Sequence, residues 1–339
     1  MRQLLIHPYL IQAYPGSMVD TRGVRIARLM TVAGILLACA CWCRSQVAAG
    51  WTAAVQNAAP EAPNARILAL DIGSGHLIAA RHLDEAARTL AAPGSTLKPL
   101  ALYGLVAEGR WDPSRRVACS GRLRIDGRSL DCSHPASGPM DARQALAWSC
   151  NSYFAAVART LAPGELRGLL APTGLLGQTG LLAQTGLAGG MHLGGAHGGE
   201  AVAELREPLT EEQKSLALLG VDGIRVTPLE LAVAYRWLAL QLAQHAGSAA
   251  AEVVGLGLQD SASFGMAGAA ARGGVPVAGK TGTANLGPGT GSHGWFVGLA
   301  PAVHPTVVLA VYLPAGRGAD AATVAAEVLK NSPLRTEQR

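Results

Sequence analysis

Two short apolar runs, residues 67–71 and 77–81, stand on either side of Gly73-Ser74-Gly75. That pattern predicts a β-hairpin. After Pro93-Gly94 the period changes, and Leu97, Leu100, Leu102 and Leu105 recur at helical spacing. Residues 142–161 predict a second helical stretch, broken near Ser149. Residues 228–240 predict a third, with Thr227 as its N-cap and Pro228 at the first helical position. Strand-like runs follow at 275–284, 294–300 and 306–313, with 285–292 as the turn between the first two and 319–330 as a final helix. Strands first, helices between and strands last predict an α+β domain whose sheet brings the two ends of the chain together.

Composition supports a packed core: the chain has 339 residues, 49% hydrophobic and 15% charged. The formal net charge of +5 first suggests a polyanionic partner. Its distribution removes that suggestion. Arg2, Arg22, Arg25, Arg28 and Arg44 precede Gly50 against one acid, Asp20, and the remainder of the chain is roughly +1. Nucleic acid is therefore rejected as a partner.

The same arginines bracket an uncharged run, residues 29–43 (LMTVAGILLACACWC). It is short for a bilayer span and suits the apolar region of a signal peptide. Val47-Ala48-Ala49 offers small residues for cleavage, while Leu36-Leu37-Ala38-Cys39 looks like a lipobox that would put a lipid on Cys39. A retained N-terminal anchor is the third route. Each implies export, to the periplasm or to the outer face of the cytoplasmic membrane. Residues 1–50 are read as this leader, the Ala/Pro-rich 51–65 as a linker, 66–331 as the domain and 332–339 as a tail.

Three of the six cysteines, Cys39, Cys41 and Cys43, lie in the leader; the others are Cys119, Cys132 and Cys150. No CxxC with a second pair exists, which argues against a structural zinc site, and no metal or cofactor is expected. Cys119 and Cys132 suit either a short disulfide loop or two unpaired thiols, and Cys150 reads as a buried, inert thiol. His192 and His197 sit among glycines in the repetitive stretch 173–199, which reads as a surface loop.

Candidate chemistry rests on three short elements: Ser95-Thr96-Leu97-Lys98, Ser149-Cys150-Asn151 and Lys280-Thr281-Gly282-Thr283. The first alone is weak, since about 0.2 chance occurrences of S-x-x-K are expected in a chain of this content. Lysine usage changes the weight. Lys98, Lys214, Lys280 and Lys330 are the chain's only lysines, and two of them fall in these elements. A desolvated lysine beside another cation can give up its proton near neutral pH, whereas arginine cannot. Positions i and i+3 share a helix face, so the Lys98 amine can reach the Ser95 hydroxyl and activate it. At a helix start, backbone N–H groups favour the negative charge of acyl transfer. In the Lys280 strand, Gly282 would let a substrate backbone come close, and the amine and hydroxyls would grip a carboxylate.

In this order, as PGSTLKP, SCN and AGKTGTA, the elements resemble those of penicillin-binding protein transpeptidase domains, which share a fold with serine β-lactamases. The flanking LDIGSGHLIA, VTPLELAVAY and GWFVGLAP are similar to the same family, so the resemblance runs from about residue 66 to 330. It implies an antiparallel sheet flanked by helices, with a mainly helical subdomain. It also implies a serine D,D-transpeptidase acting on peptidoglycan stem peptides. Ser95 would attack the penultimate D-Ala carbonyl and Lys98 would take its proton. Ser149 would return a proton to the leaving D-Ala, and Asn151 would orient Lys98 and the donor amide. Lys280, Thr281 and Thr283 would hold the terminal carboxylate, with Gly282 giving clearance and the Ser95 and Thr283 amides forming the oxyanion hole. β-Lactam antibiotics would acylate Ser95 by the same route, and cell-wall synthases are the implied protein partners. D,D-carboxypeptidase and serine β-lactamase are the alternatives within this chemistry; a non-catalytic penicillin-sensing or scaffold module is the alternative outside it. Asn151 speaks for the penicillin-binding pattern and against the oxacillinase type, where an apolar residue is usual.

Overall fold

The computed structural model describes residues 46–58, 60, 62–135, 138–177, 180–186, 199–206, 210–285 and 291–335. The apolar leader with Cys39, Cys41 and Cys43, the glycine-flanked His192 and His197, and most of the 285–292 turn lie outside them.

Strands β1 (Arg66–Asp71) and β2 (Leu77–Arg81) form the predicted hairpin. Two short ribbons follow, β3 (Arg124–Ile125) with β4 (Arg128–Ser129) and β5 (Glu204–Leu205) with β6 (Ile224–Arg225). Last come β7 (Ala278–Asn285), β8 (Ser292–Ala300) and β9 (Val307–Leu313). The antiparallel sheet runs β2-β1-β9-β8-β7, so the first strands pair with the last and the two ends do meet. Alternation within the strands divides two cores. Leu68, Leu70, Trp295, Val297, Val308 and Ala310 face one, while Ile67, Ala69, Phe296, Leu309, Val311 and Leu313 face the other.

Helices supply both covers. They are α1 (46–57), α2 (Leu83–Arg88), α3 (Lys98–Ala107), α4 (Ala142–Ala147), α5 (Asn151–Ala158), α6 (Glu165–Leu170), α7 (Leu181–Gln184), α8 (Glu211–Leu218), α9 (Pro228–Gln244), α10 (Ala249–Ser263) and α11 (Gly318–Lys330). Leu229, Leu231, Ala234 and Leu238 of α9 belong to the first core; Ala321, Ala325 and Val328 of α11 belong to the second. Thr227 caps α9 as expected, in a capping box with Glu230.

Two sequence expectations need correction, and one helix is not foreseen. Residues 51–57, read as linker from their alanines, are helical, and Trp51, Ala54 and Val55 are buried in the second core. An Ala-rich segment carrying one large apolar residue per few turns has little periodicity, so its partner surface decides its fate. Helix α10, over which no element is expected, is equally quiet in sequence, because small residues such as Gly257, set against Leu146, pack closely without a strong apolar stripe. The repetitive stretch is partly ordered: α7 lies within it, and the Leu77 N–H donates to the buried Thr185 carbonyl at 2.8 Å.

Candidate active site

Three elements converge where the β7 edge meets the helical region. Ser95 stands half-buried in a one-turn 3-10 helix, Gly94–Leu97, which runs directly into α3 at Lys98. The turn is clamped on all sides. Gly94 N donates to the Gly220 carbonyl at 2.8 Å, and the Thr96 carbonyl accepts from the buried Tyr235 hydroxyl at 2.8 Å. The Ala92 carbonyl accepts from Trp295 Nε1 and His293 Nε2, each at 2.9 Å. Gly94 has φ +56, and a Cβ there would lie 2.9 Å from the Thr283 amide nitrogen. Gly94, the residue before Ser95, therefore lies against the Thr283 backbone.

Ser149 occupies the break between α4 and α5, with φ 56, a costly conformation for a residue with a side chain. That strain turns its hydroxyl and carbonyl toward two buried amines. Lys98 Nζ donates to the Ser149 carbonyl at 2.9 Å, to Asn151 Oδ1 at 2.6 Å and, more weakly, to Ser149 Oγ at 3.4 Å. Lys280 Nζ donates to the same hydroxyl at 2.8 Å. Asn151 is fixed in turn by its Nδ2, which donates to the Leu130 carbonyl at 3.0 Å. Ser95 and Lys98 are joined through the backbone, where the Lys98 N–H donates to the Ser95 carbonyl. The Lys98 amine itself is held by Ser149 and Asn151 and stands one turn from the serine.

Both amines are buried, at 0% exposure. Burial brings the Lys98 amine down from 10.5 to about 7, against the opposing pull of the Cys150 and Cys132 sulfurs. Burial, and then the Lys98 charge, hold Lys280 well below the usual lysine range. Neither amine is committed to a carboxylate in the hydrogen bonds described, so Lys98 can exchange a proton near neutrality.

The remaining residues of the third element are engaged differently from expectation. A Cβ on Gly282 would lie 2.4 Å from the Pro93 carbonyl oxygen and 3.1 Å from Thr96 Cγ2. Glycine is thus required by the approach of the Ser95 turn itself rather than by a substrate backbone. Thr281 donates to the Met266 carbonyl at 3.3 Å, and the exposed Thr283 hydroxyl accepts from the Gly318 N–H at 2.9 Å. Thr283 still has its own proton to donate. Sequence reasoning missed Tyr235, His293 and Trp295, whose spacing carries no local signature, because each acts on a carbonyl more than 100 residues away.

The arrangement juxtaposes a serine at a helix start, a near-neutral amine, a hydroxyl shared by two lysines and an exposed strand-borne threonine. The fold that holds it is shared with solved structures. These include the transpeptidase domain of Burkholderia pseudomallei penicillin-binding protein 3 (TM-score 0.68, 21% identity, 85% of this chain and 93% of that one). A peptidoglycan glycosyltransferase from Burkholderia ambifaria matches with TM-score 0.67 and 20% identity over 87% of this chain and 95% of that one. Pseudomonas aeruginosa PBP2 matches with TM-score 0.65 and 21% identity over 84% and 73%. No curated protein sequence matches the chain significantly. The family model of the penicillin binding protein transpeptidase domain matches residues 54–333, spanning all three elements. On that match the chain belongs to the penicillin-binding protein transpeptidase domain family.

Proposed function

We propose that the protein is a serine D,D-transpeptidase that cross-links peptidoglycan stem peptides through an acyl-enzyme on Ser95. The observation that carries this reading is the buried Lys98 amine, held near pKa 7 one turn from Ser95 and hydrogen-bonded to Ser149 and Asn151. Ser95 Oγ attacks the penultimate D-Ala carbonyl carbon while its proton passes to neutral Lys98. Charge on the carbonyl oxygen is met by the Ser95 and Thr283 amides. The C–N bond to the terminal D-Ala then breaks. Its nitrogen takes a proton through Ser149, whose oxygen accepts from both lysines and whose own hydrogen is free to pass on. An amine of a second stem peptide attacks the Ser95 ester, forms the new amide and restores the serine hydroxyl.

Lys280, Thr281 and Thr283 are assigned to the donor carboxylate, with Thr283 the most available, and Asn151 to orienting Lys98. β-Lactams enter as analogues of the donor. The reaction calls for the outer side of the cytoplasmic membrane, reached through the arginine-flanked apolar leader, and a cell-wall synthase as a working partner.

The test is fluorescent penicillin on the full-length chain beside Ser95→Ala, followed by a stem-peptide analogue with an added amine acceptor. Expected are a label stable for hours, its absence in Ser95→Ala, D-Ala release and an amide-joined product. No label on the wild type overturns the acyl-enzyme. Label lost within seconds makes the protein a β-lactamase, and D-Ala release without joined product makes it a carboxypeptidase.

A further inference from the structure

Four soft or borderline ligands gather directly behind Ser149 and Asn151. Cys119, Cys132, His134 and Cys150 place their Sγ and ring-nitrogen atoms within 4.8 Å of one another, and Cys119, Cys150 and His134 are buried. All three cysteines are free thiols. We propose that Cys119, Cys132, Cys150 and His134 Nε2 bind one zinc ion in a tetrahedral site of three sulfurs and one nitrogen that anchors the Ser149–Asn151 turn.

Distances suit the ion. Ligands at about 2.3 Å (sulfur) and about 2.0 Å (nitrogen) from zinc, at tetrahedral angles, stand roughly 3.8 Å (sulfur to sulfur) and roughly 3.6 Å (sulfur to nitrogen) apart. The separations found are 3.3 Å for Cys119–Cys132, 3.9 Å for Cys132–Cys150 and 3.7 Å from Cys119 Sγ to His134 Nε2. Three sulfurs and an imidazole in a closed, largely buried cluster are the donor set of structural zinc, not of hard oxygen-seeking cations.

The outer contacts are those a metal site needs. His134 Nδ1 lies 2.8 Å from the Pro135 carbonyl, which can only accept; the proton is thus on Nδ1 and the Nε2 lone pair faces the sulfurs. The Asn151 backbone N–H donates to Cys132 Sγ at 3.3 Å, a bond suited to a sulfur that carries negative charge. Binding would release the three thiol protons to solvent as the three zinc–sulfur bonds form.

A zinc ion here would depart from the expectation from sequence that such a site is disfavoured and Cys150 inert. The spacing lacks a CxxC because the ligands come from the excursion between α3 and α4 and from the N-cap of α5, which only the fold brings together. Cys150 lies between the residue that holds Lys98 through its carbonyl and the one that holds it through its amide. The ion would therefore tie the strained Ser149 turn to residues 119–134. A consequence for acylation rests on the function proposed above; the metal site itself does not.

The full-length chain, purified with a mild reductant, is to be assayed for zinc by elemental analysis and reloaded with cobalt(II) in place of zinc. Expected are about one zinc per chain and a cobalt spectrum with thiolate charge-transfer bands and intense tetrahedral d–d bands, both lost in Cys119→Ser and His134→Gln. A wild-type chain that takes up neither ion overturns the site, as does one whose Cys119 and Cys132 are disulfide-linked and metal-free. Penicillin labelling of the same samples separates the two readings. Stripping zinc should slow Ser95 acylation by about tenfold, reversibly. Metal bound without any acylation would sink the transpeptidase reading and leave the zinc site standing.

Discussion

Lys98 shows how one residue acquires chemistry from its surroundings. Its stem is buried beside Phe154, with the amine 5.1 Å from that ring centroid, and its three polar partners are all acceptors of moderate strength. Desolvation wins over them, and the amine falls to about 7. The titratable groups facing it are Lys280 from β7 and the thiols of Cys132 and Cys150. A base of this kind accepts a proton only when neutral, so activity must rise with pH through its own pKa. Ser95 acylation by fluorescent penicillin is expected to fall about tenfold per pH unit on the acid side of Lys98, and Lys98→Arg should be inactive at every pH. A flat profile from mild acid to mild base would remove Lys98 from the role of base.

At the scale of elements, the decisive contact is strand against turn. β7 lies so close to Pro93–Thr96 that neither Gly282 nor Gly94 has room for a methyl group. The turn that carries Ser95 is thereby held against the Thr283 backbone, as the proposed oxyanion hole requires. Gly282→Ala must push the turn away by about an ångström, and a displacement of that size costs roughly a hundredfold in rate. The second-order rate of penicillin acylation is expected to fall by that factor, with only about 1–3 kcal/mol lost in chemical denaturation. Gly255→Ala in α10 is the control, since a Cβ there meets nothing within 4 Å; it should leave the acylation rate unchanged and raise stability by about 0.5–1 kcal/mol through helix propensity. Equal acylation by the two variants would show that the approach of β7 does not matter.

At the scale of the molecule, the sheet is closed by the pairing of β1 with β9, a contact between residues more than 200 apart in the chain. One face carries α9 and the helical region that supplies Ser149; the other carries α1 and α11. Trp51 of α1 is 1% exposed within that second core, which makes the helix part of the domain rather than a tether. Trp51→Ala is expected to lower unfolding stability by about 3–5 kcal/mol in a urea titration while leaving the active-site geometry in place. A loss below about 1 kcal/mol would mean that α1 packs only weakly on the sheet.

By itself the sequence determined the hairpin, the break at Ser149, the Thr227 cap, the closing strands and the positions of the three candidate active-site elements. All of these are local: a period, a cap or a short spacing is enough to write them. The tertiary structure alone decided that α1 is core, because an Ala-rich helix shows no face until a sheet covers it. It assigned Gly282 to the Ser95 turn, and it brought Tyr235, His293 and Trp295 onto the carbonyls around that turn. It also gathered Cys119, Cys132, His134 and Cys150 from three separate stretches into one cluster. Such contacts are set by chain closure over tens to hundreds of residues, and no local pattern of residue types encodes which distant groups will meet.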